Sequence, residues 1–221
     1  MLTLGIDDAG RGPVIGPMIL SGCLLDSKVE KELTKLGVTD SKQLTQKRRE
    51  ILAGKIKETA EAFETTITSP LEIEETNKQG IKLNEVEAIK AAKIINKLNK
   101  VDKKIKVVID CPSPNLSKWT DYLKTKIDNL SNLDISCEHK ADKNHVSVSA
   151  ASILAKTTRE IEMDKIRKEY GKEVGSGYTS DPLTIKFLEK HAHKHHDSGI
   201  FRRTWATFKR AHSKGKQRTL V

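Results

Sequence analysis

The stretch GIDDAGRGPVIGP, residues 5 to 17, ends an apolar run in two adjacent carboxylates, Asp7 and Asp8, and follows them with Gly10-Arg11-Gly12. A second short apolar run, IKVVID, also ends in an acid, Asp110, and is stopped by CPSPN, whose two prolines forbid continuation. A third acid, Asp142, stands just ahead of a long helical pattern. A lone surface aspartate is ordinarily solvated, so position is what matters here. Parallel neighbouring strands of an α/β sheet bring their carboxyl ends side by side, which is where sites form.

Carboxylates packed within a few ångströms repel one another and rise in pKa unless cations neutralise them. Mg²⁺ or Mn²⁺ suits such a set, being hard ions that take oxygen ligands and retain water. Two ions about 3.5 to 4 Å apart hold an attacking water and a leaving oxygen in line across a phosphodiester, with no histidine base required. Glycines at 10 and 12 allow backbone to approach a ligand closely, and Arg11 between them suits a phosphate. The same loop is not a dinucleotide fingerprint: Gly10, Gly12 and Gly16 have the wrong spacing, and Pro13 and Pro17 oppose the helix such a fingerprint needs.

Charge names a class of partner. The chain of 221 residues carries a formal net charge of +10 and a pI near 9.4, which points to a polyanion. From Ser198 to Val221 there are seven Lys/Arg and no acid, with Trp205 and Phe208 at i, i+3 as anchors of a helix that displays a basic face. An acidic centre in a basic chain fits a nuclease, with cations on the nucleic-acid backbone and metal at the scissile phosphate. Cys23, Cys111 and Cys137 are odd in number and lack a C-x-x-C, which argues against a disulfide framework or zinc knuckle. Cys111 adjoins Asp110 and could be a nucleophile, but a small buried apolar residue is the better reading. HAHKHHDSG, residues 191 to 199, reads as a solvated helix end rather than a transition-metal site. No run of about 18 apolar residues is present, and charges interrupt the N-terminal apolar segment, so a cytoplasmic protein without membrane partners is expected.

The elements that must position these residues follow from periodicity. LTLGID (2 to 7) and VIGPMILSGCLLD (14 to 26) read as a hairpin, AFETTIT (62 to 68), IKVVID and LDISCEHK as further strands. Helices are expected after Thr45 as N-cap, with Ile51, Leu52 and Ile56 inward; from a capping box of Asn84 and Glu87, with Ala91, Ile94, Ile95 and Leu98 inward; over Leu116 to Ile127; and from about Ser147, with Ala150, Ile153, Leu154 and Ile161 inward. The order predicts an α/β sandwich around a mixed five-stranded sheet.

Asp7, Gly10-Arg11-Gly12, DSKQLTQKRR (40 to 49), VVID (107 to 110), HKADKNHVSVSAASILAK (139 to 156) and GSGYTSDP (175 to 182), in this order, closely resemble ribonuclease HII over nearly the whole chain. The resemblance implies a ribonuclease-H-like catalytic domain over 1 to 175 and a C-terminal helical, basic appendage over 176 to 221. It also implies a four-acid site of Asp7, Asp8, Asp110 and Asp142 that is both catalytic and metal-binding, with Mg²⁺ or Mn²⁺. The implied activity is hydrolysis of RNA paired to DNA, including single ribonucleotides embedded in duplex DNA, leaving 3′-hydroxyl and 5′-phosphate ends.

By the same resemblance Gly10, Arg11 and Gly12 form the loop that senses the 2′-hydroxyl, Tyr178 packs on the sugar at the junction, and Ser41 and Lys42 lie near backbone phosphates. The chain departs from the family's Asp-Glu-Ala-Gly-Arg-Gly at one point, Asp8 standing where Glu is expected. The carboxylate is withdrawn by one methylene, and an error of about 1 Å at a reacting centre costs about 10²-fold. An altered rate is therefore expected, and a hybrid-binding protein that barely cleaves is the alternative; a different two-metal nuclease is disfavoured by the Gly-Arg-Gly and Tyr178 pair. Gln217 and Leu220 are spaced like the start of a sliding-clamp-binding peptide without its aromatic pair, so a frayed terminus is the stronger reading there. A monomer is expected.

Overall fold

The two N-terminal apolar runs form strands β1 (Leu2–Ala9) and β2 (Met18–Asp26), paired antiparallel from Leu2↔Asp26 to Ala9↔Ile19. The second strand starts at Met18 rather than Val14, because Pro13 and Pro17 withhold the amides a ladder needs. This computed structural model describes residues 1–38, 44–100 and 103–218, with side chains as far as 214. Ser41, Lys42 and Leu220, and the side chain of Gln217, lie outside the described residues.

The chain packs as two compact units, interleaved along the sequence: residues 1–9, 19–66 and 82–157 form the first, and residues 10–18, 67–81 and 158–221 the second. The first holds a five-stranded sheet in the order β3-β2-β1-β4-β5, with β3 Ala62–Thr68, β4 Ile105–Asp110 and β5 Leu133–Glu138. Strands β1 and β4 run parallel from Leu2↔Ile105 to Ile6↔Ile109, and β4 and β5 run parallel to the pair Asp110↔Glu138. The sheet is mixed, as expected.

Alternation along the strands sends successive side chains to opposite faces. Cys23 and Leu25 of β2 enter a core with Leu52, Ala53 and Ile56 of α2 (Gln46–Thr59) and with Ala150 and Ile153 of α6 (Val146–Tyr170), which also includes Leu33 of α1 (Ser27–Lys35). Gly22, one residue from Cys23, faces the other way: a Cβ there would lie 2.3 Å from Ile94 on α4 (Leu83–Leu98). Gly5 serves the same purpose on the α6 side, where a Cβ would stand 2.1 Å from the backbone of Ser147. Close approach of helix to sheet is what these glycines permit. On the α4 side lies α5 (Leu116–Lys124), whose buried Trp119 donates its indole N–H to Asn84 O at 2.8 Å.

Several local expectations need correction. Helix α4 starts at Leu83, and the Lys82 amide donates to Glu85 Oε2 at 2.7 Å, so the cap lies two residues before the Asn84–Glu87 pair and Glu87 is buried. Thr45 does cap α2, but Ile51 is exposed because the inward stripe is Leu52, Ala53 and Ile56, one helical step away. Ile161 is exposed as well; in the second unit α6 buries Met163 and Arg159 instead. Helix α5 ends at Lys124 rather than Ile127, and β5 stops at Glu138.

The second unit has its own core. Val14, Ile15, Met163, Phe187, Phe201 and Phe208 meet there, drawing on the loop of residues 10–18, the end of α6, α7 (Pro182–His191) and α8 (Ala206–Arg218). Trp205 precedes α8 rather than lying on it, while Phe208 is buried. The unit also contains α3 (Pro70–Lys78), tied to the C-terminal segment by Arg203, whose Nε donates to Glu74 Oε2 at 2.6 Å.

Candidate metal centre and substrate loops

Within the first unit, Asp7, Asp110 and Asp142 each present a carboxylate oxygen, and these oxygens all lie within 4.8 Å of one another. Among the described residues this is the cluster that suits a metal ion. Asp7 and Asp110 come from the carboxyl ends of the parallel neighbours β1 and β4. Asp142 comes from a single 3₁₀ turn, Ala141–Lys143, ahead of α6. That turn is set by Lys140, the one non-glycine residue with positive φ (58°) among the described residues, and by a hydrogen bond from the Ala141 amide to Asp110 Oδ1 at 3.2 Å. One carboxylate of the cluster therefore helps to place the next. His145, which donates or accepts at Glu138 Oε2 over 2.9 Å, ties the start of the helix to the end of β5.

Asp7 and Asp142 are buried, and burial, followed by the charges of Asp8 and Asp110, pushes the Asp7 carboxyl well above the ordinary carboxylate range. The Asp8 amide donates to Asp7 Oδ1 at 2.7 Å and a hydrogen bond with Ser152 opposes the rise without cancelling it. Three acids gathered on oxygen donors, one of them reluctant to ionise, form a donor set that fits hard divalent cations.

Asp8 is placed differently from its neighbour. Strand alternation turns it to the opposite face of β1 from Asp7, and it lines a cleft with Asp7, Asp110, Glu87 and Trp119. Glu87, on α4, is a fifth acid at this end of the sheet that the sequence reading assigned to a helix cap. Its hint in the sequence was its place on the inward stripe with Ala91 and Ile94. Cys111, buried beside Asp110, has its thiol pushed up to about 11 by burial, which removes it as a nucleophile at neutral pH.

In the second unit, Gly10 adopts φ +78°, and a Cβ on it would lie 2.4 Å from Arg159 Nε. Gly12 is exposed with open space where a side chain would stand. Tyr178 is exposed, and the Arg159 guanidinium lies 4.8 Å from its ring centre while donating to Ser176 O at 2.9 Å. Gly177 O accepts from the Val14 amide at 2.9 Å, so the Gly-Arg-Gly loop and the Tyr178 loop are stitched to each other. The histidines 191 to 196 pack among aromatic rings, as in the 4.7 Å approach of His191 to Phe187, and take no part in a metal cluster among the described residues.

A family model described as Ribonuclease HII matches residues 4–208. A ribonuclease HII from Methanocaldococcus jannaschii is 43% identical, the alignment covering 100% of this chain and 99% of that one. Ribonuclease H2 from Pyrococcus horikoshii OT3 superposes with a TM-score of 0.86 at 35% identity, covering 98% of this chain and all of that one. The enzyme in the PCNA:RNase HII complex from Archaeoglobus fulgidus superposes with a TM-score of 0.76 at 34% identity, over 91% of this chain and 92% of that one.

Proposed function

Because this chain belongs to the ribonuclease HII family and has its ribonuclease-H-like fold, we propose that it is an endoribonuclease dependent on divalent metal. It hydrolyses the RNA strand of RNA/DNA hybrids and nicks duplex DNA at embedded ribonucleotides, leaving 5′-phosphate and 3′-hydroxyl ends. The observation that carries the reading is the convergence of Asp7, Asp110 and Asp142 to within 4.8 Å, with the Asp7 carboxyl pushed up by its surroundings.

Asp7, Asp110 and Asp142 would hold Mg²⁺ or Mn²⁺, with Asp8 contributing from the adjoining cleft. When bound, such ions supply charge stabilisation at the phosphate and a water acidic enough to attack at neutral pH. The protein's own part is orientation: the Asp8 amide fixes the Asp7 carboxylate, and Asp110 holds the turn that carries Asp142. In this reading Gly10, Arg11 and Gly12 sense the 2′-hydroxyl and Tyr178 packs against the sugar. Ser41, Lys42 and the basic side chains of the C-terminal region from 176 to 221, the buried Arg202 excepted, bind the backbone. The relative from Archaeoglobus fulgidus was solved with PCNA, which supports a sliding clamp as partner. The chain acts as a cytoplasmic monomer in replication and repair.

A duplex carrying one ribonucleotide, incubated with Mg²⁺ or with Mn²⁺, is expected to be nicked while an all-DNA duplex survives. Asp110→Asn should lower the nicking rate by about 10²-fold or more without changing the fold by circular dichroism. Equal nicking by the variant removes Asp110 from the site, and cleavage indifferent to the 2′-hydroxyl removes the ribonucleotide specificity.

A further inference from the structure

The Gly-Arg-Gly loop is held from within the second unit by a buried cation. Arg202 is 0% exposed. Its Nε donates to Gly16 O at 3.1 Å, one terminal nitrogen donates to Arg11 O at 2.6 Å, and the other donates to Gly10 O. The Trp205 ring lies 5.2 Å from the guanidinium, and its indole N–H donates to Gly12 O at 3.3 Å. Three consecutive carbonyls, from residues 10, 11 and 12, are thus gathered by one Arg-Arg-Thr-Trp stretch, residues 202 to 205.

That gathering has a geometric consequence. In a trans peptide the carbonyl and the following N–H point in opposite directions, and no described peptide bond is cis. With the Gly10 and Arg11 carbonyls turned toward Arg202, the amides of Arg11 and Gly12 are turned away from it. The third carbonyl precedes Pro13, which has no N–H, so the set ends at two donors. Gly12 itself is exposed, with open space where a Cβ would stand.

Burying a guanidinium is costly unless its donors are met, and here they are met by main-chain oxygens of the loop. Lysine is a point donor on a flexible stem and cannot bridge carbonyls from Gly10, Arg11 and Gly16 with one planar fork.

We propose that Arg202, with Trp205 stacked on it, is a positioning residue for ribonucleotide recognition, setting the direction of the Arg11 and Gly12 amides. The inference rests on the reading of this loop as the 2′-hydroxyl sensor. A purely structural clamp would affect folding alone; a positioning residue affects preference between substrates.

The test uses the full chain, Arg202→Lys, and Trp205→Phe, which keeps an aromatic face but removes the indole donor. Binding of a duplex with one ribonucleotide and of its all-DNA counterpart is measured by fluorescence anisotropy without divalent metal. Nicking is measured with Mg²⁺ and with Mn²⁺, and folding by thermal melting. Arg202→Lys is expected to lose about tenfold in preference for the ribonucleotide duplex, since a hydrogen bond to a charged group is at stake, and to leave all-DNA affinity unchanged. Trp205→Phe should show a smaller loss of the same kind. Folded variants that keep the wild-type preference and nicking overturn the proposal. If Arg202→Lys does not melt cooperatively, an unchanged preference in Trp205→Phe overturns it. A wild-type chain that neither prefers nor nicks the ribonucleotide duplex instead removes the reading of the loop, and this inference with it.

Discussion

Replacing Asp7 by Asn should make the metal-free protein more stable at neutral pH while removing its hydrolytic activity. The oxygens of Asp7, Asp110 and Asp142 lie within 4.8 Å of one another, and two unit charges at that separation repel by about 3.5 kcal/mol at an effective dielectric constant of about 20. Burial and the neighbouring acids hold the Asp7 carboxyl well above the ordinary carboxylate range, and a neutral amide there relieves part of that repulsion, about 2 kcal/mol. For a chain of this size that corresponds to a rise in melting temperature of about 4 to 8 °C. Asn retains an Oδ1 to accept from the Asp8 amide, so the local geometry survives.

The sign with pH follows from the direction of the shift. The folded Asp7 carboxyl is raised above its ordinary value by burial, Asp8 and Asp110. Its contribution to stability is fully present below the unfolded value. It is lost progressively as the pH rises between the two values and is gone once the pH passes the folded one. Wild type and Asp7→Asn should therefore melt together near pH 4 and diverge toward pH 8, measured by circular dichroism in the presence of a chelator. Millimolar Mg²⁺ should narrow the gap, because it stabilises only the intact carboxylate set. A variant that melts no higher than wild type at pH 8, or by the same increment at both pH values, refutes the argument that these charges strain one another.

Gly5→Ala places a methyl 2.1 Å from the Ser147 backbone, so α6 must shift against β1; a loss of about 3 kcal/mol is expected in denaturant melts, with a fall in nicking because Asp7 shares the strand. Phe208→Ala removes a buried ring from the second unit's core and should cost about 3 to 5 kcal/mol, read as earlier proteolytic cleavage around α8. Asp8→Glu lengthens the side chain toward the cleft it lines with Asp7 and Asp110; a rise in turnover of about 10²-fold supports impaired reach in the present chain, and an unchanged rate supports a short acid that already suffices.

Much of the first unit was legible in the sequence. The apolar run at 105 to 110 has strand length, ends in punctuation and forms β4 as expected, while LDISCEHK forms β5 only as far as Glu138. The inward faces Ala91–Leu98 and Ala150–Leu154 kept helical period and are buried. Ile51 and Ile161 are exposed against expectation, because an apolar residue next to a buried stripe looks the same in the sequence as one within it. At 14 to 17 the apolar pattern suggests strand, and Pro13 and Pro17 overrule it. Convergence of Asp7 with Asp110 followed from two acids at parallel strand ends, a topological inference. Asp142 was harder: its approach depends on a left-handed Lys140 and a one-turn 3₁₀ helix, and neither residue type announces that conformation.

What the sequence conceals most completely is buried charge. Charged residues are solvated by default, so pattern reading gave Glu87 a helix cap and Arg202 a place in a basic tail. The fold buries both. Arg202 turns its fork on backbone carbonyls, which no side-chain pattern can register, because the partners are main-chain atoms of residues 10, 11 and 16. Glu87 stands against the cleft that also contains Asp7, Asp8 and Asp110, adding acid where acid is already crowded. A free-standing domain selected for stability alone would exchange such residues for apolar ones at little cost or some gain. Stability alone therefore does not account for Glu87 at the carboxylate cleft or Arg202 on the Gly-Arg-Gly loop: acid at the first place suits a cation, and the fork at the second fixes the backbone.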